Sequence, residues 1–379
     1  MKILVLTHEY PPVGGGGGKV AQDLCQHLAR RGHSFRVLTA HWDSLPGTSV
    51  EGGVQVERLV SGRSQPFKAG LTAMAGYITT SFFAGLRAIR TWKPDLIHVH
   101  FAVPAGVAAW WLSRLTGVPY VLTAHLGDVP GGVPEKTGRW FRWVEPFTPP
   151  IWKDAARVVA VSHFTRELAL SHYAVPIDVI LNGVDRDLLN PGTLQVGTPP
   201  RVVFAGRFVS QKNPLQVVRI MAGLTDLPWT CAMIGDGPLR PAVEAEIDQL
   251  GLRDRFTLSG WIPAEEVIDW YRRSDILLLP SLSEGLPVVG VQAMAMGLAL
   301  VLSRVGGSPE LVEKGQNGYL LEPDDLPGFI SALRELLSDR AHLLAVRQAS
   351  RVSSARFDLN SVVAAYEQVF TQAARRPDR

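Results

Sequence analysis

Arg207 and Lys212 stand five positions apart, directly after the apolar run at 202–205. If that run is a strand, both cations sit at its carboxyl end, the edge where an open α/β sheet receives ligands. A guanidinium and an ammonium there suit a phosphate, and above all a departing diphosphate. Each charge-assisted hydrogen bond contributes about 1.5–3 kcal/mol, and donors aimed at charge developing in a transition state each change rates by roughly 10²–10³. The plainer alternative is a basic surface turn in water. Ser281-Leu282-Ser283-Glu284-Gly285-Leu286-Pro287 likewise leaves an apolar run and enters a helical pattern that holds Gln292 two turns on. With Glu284 at the helix entrance, its carboxylate accepts sugar hydroxyls. The amides around Pro287, those of Gly285, Leu286 and Val288, are open to phosphate or sugar oxygens. An ordinary capping carboxylate is the competing reading of Glu284. Gly235 and Gly237 frame a turn at the end of a third apolar run, which alone serves equally for chain reversal.

The first half carries a glycine loop. Strand-like residues 2–7 run into Pro11-Pro12-Val13 and then five glycines, Gly14 to Gly18, before a helical stretch. Glycine lets backbone amides approach an anion, and a helix N-terminus adds a favourable dipole. A nucleotide-binding GxxxxGK[ST] loop is excluded by spacing, since Val13 stands where its first glycine belongs and Val20 where its hydroxyl belongs. A dinucleotide fingerprint fits poorly too. Lys19 takes the place of its third glycine, and the second strand ends Leu38-Thr39-Ala40-His41, without an acid for a ribose diol. His125, after Tyr120-Val121-Leu122-Thr123-Ala124, is at this point either a cleft residue or a satisfied core histidine.

The elements that must position these residues alternate. Candidate strands at 2–7, 35–40, 54–59, 96–100, 120–124 and 158–162 are interleaved with helical stretches at 20–31, 104–116 and 165–172, which implies parallel sheets with crossover helices. Turn chemistry from 182 to 200 reads as an interdomain linker. A second series follows, with strands at 202–205, 230–234, 255–258, 276–280, 299–302 and 319–321. Its helices lie at 214–224, 239–250, 264–272, 288–296 and 327–337. The division expected is therefore 1–185, 186–358, and a closing segment 359–379 whose helix at 360–373 returns to the first domain.

Length and composition agree with two α/β domains: 379 residues, 46% hydrophobic and 19% charged. A formal charge of +3 gives no reason to propose nucleic acid as a partner. Cys25 and Cys231 lack metal-ligand spacing and read as reduced core residues. Residues 69–86 carry no charge but include Thr72, Thr79, Thr80 and Ser81, so a buried helix is expected there and no membrane span.

Taken together, Glu284 to Gln292 with the following Ala293-Met294-Ala295, Arg207 with Lys212, Gly306-Gly307-Ser308-Pro309-Glu310, Asn182-Gly183-Val184-Asp185, and the glycine loop with Arg30-Arg31-Gly32-His33 resemble retaining glycosyltransferase family 4. The resemblance spans nearly the whole chain. It implies the GT-B architecture, two Rossmann-like doubly wound α/β domains facing across a cleft, with the donor held by the second. By that resemblance Arg207 and Lys212 hold the diphosphate of a UDP- or GDP-linked sugar, and Gly15 and Gly16 close over its phosphates or sugar. Glu284 binds sugar hydroxyls beside the Gly285, Leu286 and Val288 amides, Gly235 and Gly237 line the donor site, and His125 meets the transferred sugar. Backbone around Gly260-Trp261-Ile262 takes the base. Gln292 departs from the family, which has a glutamate there for the ribose diol; an amide can still accept and donate.

The implied activity is hexosyl transfer with retention, the leaving phosphate acting as base on the same face and domain closure completing the site. It needs no cofactor beyond the sugar nucleotide and no metal. The acceptor is open among a glycan, a lipid-linked sugar and a small molecule. A GT-B sugar-nucleotide epimerase and, given Gln292, a weakly active or non-catalytic sugar-nucleotide binder are the rivals. A cytoplasmic location is expected, and Arg139-Trp140-Phe141-Arg142-Trp143 mixes cations and aromatics as an interfacial segment does, which raises peripheral contact with the inner face of a membrane.

Overall fold

The computed structural model describes residues 1–65, 69–133 and 141–375, without the Arg142 side chain. The chain folds as two compact units, Met1–Asn182 with Leu359–Arg379, and Gly183–Asp358. The division falls three residues before the boundary expected at 185/186.

In chain order the first unit contains β1 (Lys2–Leu6), α1 (Gly16–Arg30), β2 (Ser34–Ala40), β3 (Thr48–Glu51), β4 (Val54–Leu59), α2 (Leu71–Trp92) and β5 (Leu96–His100). Then follow α3 (Val107–Thr116), β6 (Tyr120–Ala124), α4 (Phe141–Val144), α5 (Pro149–Lys153), β7 (Arg157–Ala160), α6 (His163–Leu170) and β8 (Asp178–Val179). Its sheet runs β3-β4-β2-β1-β5-β6-β7-β8. Every pairing is parallel except β3 with β4. Strands β1, β5 and β6 are apolar runs because helices cover both sheet faces. Leu24, Cys25 and Leu28 of α1 pack on one face, and Tyr77 and Ala88 of α2 with Leu112 of α3 on the other. Strand β3 was not anticipated, although Gly52-Gly53 links it to β4. Both glycines have positive φ, 57° and 84°, the geometry of a two-residue hairpin turn.

Helix α2 covers the uncharged 69–86 stretch only in part, and Phe83 on it is 64% exposed. Among the described residues no helix is long and apolar enough to cross a membrane. The helix expected from 104 begins at Val107. The chain before it makes an irregular turn, with Phe101 at φ 74°.

The second unit contains β9 (Arg201–Ala205), α7 (Pro214–Ala222), β10 (Thr230–Ile234), α8 (Arg240–Gln249), β11 (Phe256–Gly260), α9 (Ala264–Arg272), β12 (Ile276–Leu279), α10 (Val288–Ala295), β13 (Ala299–Ser303), β14 (Gly318–Leu321), α11 (Leu326–Ser338) and α12 (Arg340–Ser353). Its sheet, all parallel, runs β11-β10-β9-β12-β13-β14. The turn-rich stretch after Asn182 packs on this unit: Arg347 donates to the Gln195 carbonyl at 2.6 Å and Arg351 to that of Leu189 at 3.0 Å. Helix α12, also unanticipated, is capped by Asp339, whose carboxylate accepts from the Ala341 and His342 amides. Its buried Arg347 pairs with buried Asp275. The chain ends in α13 (Leu359–Ala374), which rejoins the first unit, where Val363, Tyr366 and Phe370 complete the core against α1.

Candidate functional site

The second unit gathers most of the candidates along one edge. Because its strands are parallel, the carboxyl ends of β9, β10, β11, β12 and β13 lie on the same side of the sheet. Arg207 follows β9, Gly235 and Gly237 follow β10, Trp261 and Ile262 follow β11, Glu284 follows β12, and Gly306 follows β13. These loops are stitched by backbone bonds. The Gly206 amide donates to Ile234, that of Phe208 to Asp236, and that of Gly235 to Gly260, all at 2.9–3.0 Å. The Gly307 amide donates to the Gly285 carbonyl at 2.6 Å. Gly306 has φ +54°, and a Cβ there would fall 1.6 Å from the Glu284 carbonyl oxygen, so no side chain fits.

Lys212 and Glu284 prove to be partners. The Lys212 Nζ lies 2.6 Å from Glu284 Oε1, with side chains only 14% and 6% exposed. A short helical turn at Ser210–Lys212 delivers the lysine, and Gln211 fastens that turn to the next loop by donating to the Ser283 carbonyl and accepting from the Leu282 amide. The positive charge of Lys212 is thus offset within the unit. The expected placement of Glu284 at a helix entrance needs correction. Helix α10 begins at Val288 with Pro287, in extended geometry, as its cap. Glu284 and Gln292 therefore do not share one helix. The loop before Pro287 is tied down by the Gly307 contact, and Glu284 is no capping carboxylate. The first amides of α10, Val288 and Val289, have no intrahelical acceptor. Leu286 is buried, while Gln292 is half-buried among buried Val291, Ala293 and Met294. Trp261 is 48% exposed.

In the first unit the carboxyl ends of β1, β5 and β6 carry a second group. Gly15 caps α1, and its amide donates to Glu9 Oε2 at 3.0 Å, so the loop expected to close over phosphates already holds a carboxylate. Helix α1 starts at Gly16. Where Gly17 lacks a side chain, Phe101 Cζ and His125 Cε1 stand 2.6 and 3.3 Å from the position a Cβ would take. His125 stacks on Phe101 at 4.4 Å, and its Nε2 lies 3.3 Å from His100 Nδ1. Its amide donates to Asp128 Oδ2 at 2.8 Å, and the Asp128 amide donates to the His125 carbonyl at 2.9 Å. Buried Arg63 donates to the His8 carbonyl at 2.9 Å, and burial lowers its pKa against the opposing pull of Glu9. Glu9, Arg63, His100 and Phe101 escaped the sequence analysis. His98 and His100, two apart on a strand and so on one face, were the signal that could have found His100.

Among the described residues no three His, Cys, Asp or Glu side chains gather as a metal site requires. Cys25 and Cys231 are free and buried. Of the aromatic-basic segment, Arg139 and Trp140 lie outside the described residues, Phe141 is buried and Trp143 is 80% exposed.

This architecture and these loops have counterparts. Residues 14–188 match the description Glycosyltransferase Family 4, and residues 199–339 match Glycosyl transferases group 1. The 2-deoxystreptamine glucosyltransferase of Streptomyces kanamyceticus is 28% identical over 353 residues, covering 86% of this chain and 90% of its own. In structure, the sucrose-phosphate synthase of Thermosynechococcus elongatus superposes with a TM-score of 0.86 at 21% identity, over 98% of both chains. HepE of Anabaena in complex with UDP-glucose superposes with 0.78 at 20% identity, over 98% of this chain and 99% of its own. Matched in both units, the chain belongs to glycosyltransferase family 4 and is a glycosyltransferase of GT-B type.

Proposed function

We propose that this glycosyltransferase moves a hexosyl unit from a nucleoside diphosphate sugar to a small polyhydroxylated acceptor, with retention of configuration and without a divalent metal. The observation that carries the reading is the stitched edge of the second sheet, which carries Arg207 after β9, the Lys212–Glu284 pair, and the first amides of α10. Positive charge from Arg207 and Lys212, with the α10 N-terminus, would stabilise the departing diphosphate. Glu284, oriented by Lys212, takes sugar hydroxyls with the oxygen the lysine leaves over. Gly235, Gly237, Trp261 and Ile262 frame the base side, and Gln292 the ribose. In the first unit, His125 is the residue assigned to the transferred sugar, and Gly15 and Gly16 of the glycine turn are assigned to its phosphates or sugar.

UDP-glucose is the first donor to test, because UDP-glucose is the ligand in the HepE complex. The named activity of the Streptomyces relative points to a cyclitol as the first acceptor. The test is incubation with UDP-, GDP- and ADP-hexoses in EDTA, with and without 2-deoxystreptamine, followed by NMR. Free nucleoside diphosphate and a new glycoside keeping the donor's anomeric configuration are expected. An inverted product, an epimerised donor, a donor bound but unchanged, or a strict need for added metal would each overturn the reading.

A further inference from the structure

We propose that Glu9 is a positioning residue: its carboxylate is the glycine turn's own internal anion, which sets the first turn of α1 against His125 and leaves the donor's diphosphate to the second unit. This rests on the reading that assigns His125 to the transferred sugar and Arg207 with Lys212 to the diphosphate. The chain folds back after Glu9 so that the Gly15 amide donates to Glu9 Oε2 at 3.0 Å, with the Glu9 side chain only 15% exposed. Two more glycines make room for this residue. A Cβ at Gly14 would stand 2.4 Å from Glu9 Cβ and 2.8 Å from its Oε2, and Gly14 has φ +100°. A Cβ at Gly18 would meet the Glu9 carbonyl at 3.0 Å. These glycines thus accommodate a carboxylate of the chain itself, whereas a loop built for phosphate keeps its amides for the ligand.

Glu9 is itself held in place. Thr7 Oγ1 donates to the Glu9 carbonyl at 2.8 Å, the Val13 amide donates to the Tyr10 carbonyl at 2.9 Å, and Tyr10 and Val13 are buried. Arg63 fastens the preceding residue through the His8 carbonyl at 2.9 Å, and the charge of Glu9 favours its protonated form against burial. The same turn reaches the residues assigned to the sugar. A Cβ at Gly17 would stand 2.6 Å from Phe101 Cζ and 3.3 Å from His125 Cε1. One short stretch therefore joins Glu9, through Gly15 and Gly17, to His125. A carboxylate at a helix N-terminus satisfies the dipole that would otherwise draw a phosphate, and it repels a diphosphate brought to the same turn. That favours sugar hydroxyls over phosphate oxygens as what Gly15 and Gly16 meet.

The test combines calorimetric titration of UDP with UDP release from UDP-glucose, on the full-length protein and two variants. Glu9→Gln removes the charge and keeps an oxygen for the Gly15 amide. Its UDP affinity should stay within about twofold of wild type and its kcat within about threefold. Glu9→Ala leaves the amide without that acceptor; kcat should fall about tenfold with KM for UDP-glucose little changed. Sodium formate, and not sodium chloride, should restore turnover to Glu9→Ala and leave wild type unaffected. In thermal unfolding formate should raise the Tm of Glu9→Ala alone, a readout that needs no turnover. UDP binding several-fold tighter to Glu9→Gln would put the diphosphate at the turn and overturn the proposal, whether or not Glu9→Ala folds. So would a Glu9→Ala variant with wild-type kcat, or one that formate neither revives nor stabilises. A wild type that neither binds UDP nor releases it from UDP-glucose would instead remove the functional reading, a separate failure.

Discussion

At the scale of single residues, the pairing of Lys212 with Glu284 changes what each can do. The sequence singled out each of them separately, the lysine for a diphosphate and the glutamate for sugar hydroxyls, from their places after apolar runs. Their mutual contact was not, because 72 residues separate them and nothing local in the sequence encodes a partner. Breaking a buried pair by removing one member leaves the other charge uncompensated and costs about 3–5 kcal/mol. Lys212→Met and Glu284→Gln should each destabilise the protein by about that amount and abolish measurable UDP-glucose turnover. The double variant should regain most of the stability and none of the activity. Denaturant titration with a turnover assay checks this, and a double variant no more stable than the singles would show that the pair is not the structural unit described here. Gln292 is a different case. Its amide, where the family has a carboxylate, was visible in the sequence, and the structure adds only that it is half-buried on α10.

At the scale of elements, the strands of both sheets were legible because burial on two faces turns them into unbroken apolar runs. Five elements were not, the short helices α4 and α5 among them. Strand β3 is short and half-exposed at the sheet edge, and β8 has two residues. Helix α12 hides its start behind an arginine-rich face, since Arg347 is buried in an ion pair where a pattern search expects an apolar side chain. The start of α10 at Val288 was read correctly, but the path before it was not: the Gly307 amide, some twenty residues downstream, ties the Glu284 loop through the Gly285 carbonyl and keeps Glu284 off the helix entrance. That clamp makes a prediction. Gly306→Ala should push the Glu284 loop outward, because its Cβ would meet the Glu284 carbonyl at 1.6 Å and its φ of +54° disfavours a side chain. UDP-glucose KM should rise about tenfold with stability reduced by about 1–3 kcal/mol. An alanine variant with wild-type KM would mean that the loop position is immaterial to the donor.

At the scale of the whole molecule, the alternation of strand and helix, broken once near residue 182, was enough to read two α/β units. The return of the last helix was read from a surplus: one helix more than the second sheet requires. The structure supplies its physical reason, since without Val363, Tyr366 and Phe370 one face of the first sheet would lie open. The turn-rich stretch after 182 read as a linker because glycine, proline and asparagine dominate it, yet Arg347 and Arg351 bind its carbonyls to the second unit. Composition reports turn chemistry and is silent about which side chains will satisfy a backbone. The central claim is that the second unit holds a nucleoside diphosphate by charge and open amides. Calorimetric titration of UDP into the full-length protein in EDTA tests it most directly, comparing wild type with Arg207→Gln. The account predicts binding by wild type without metal and a loss of about tenfold or more in affinity for the variant. Equal affinities, or no binding until a divalent ion is added, would contradict it.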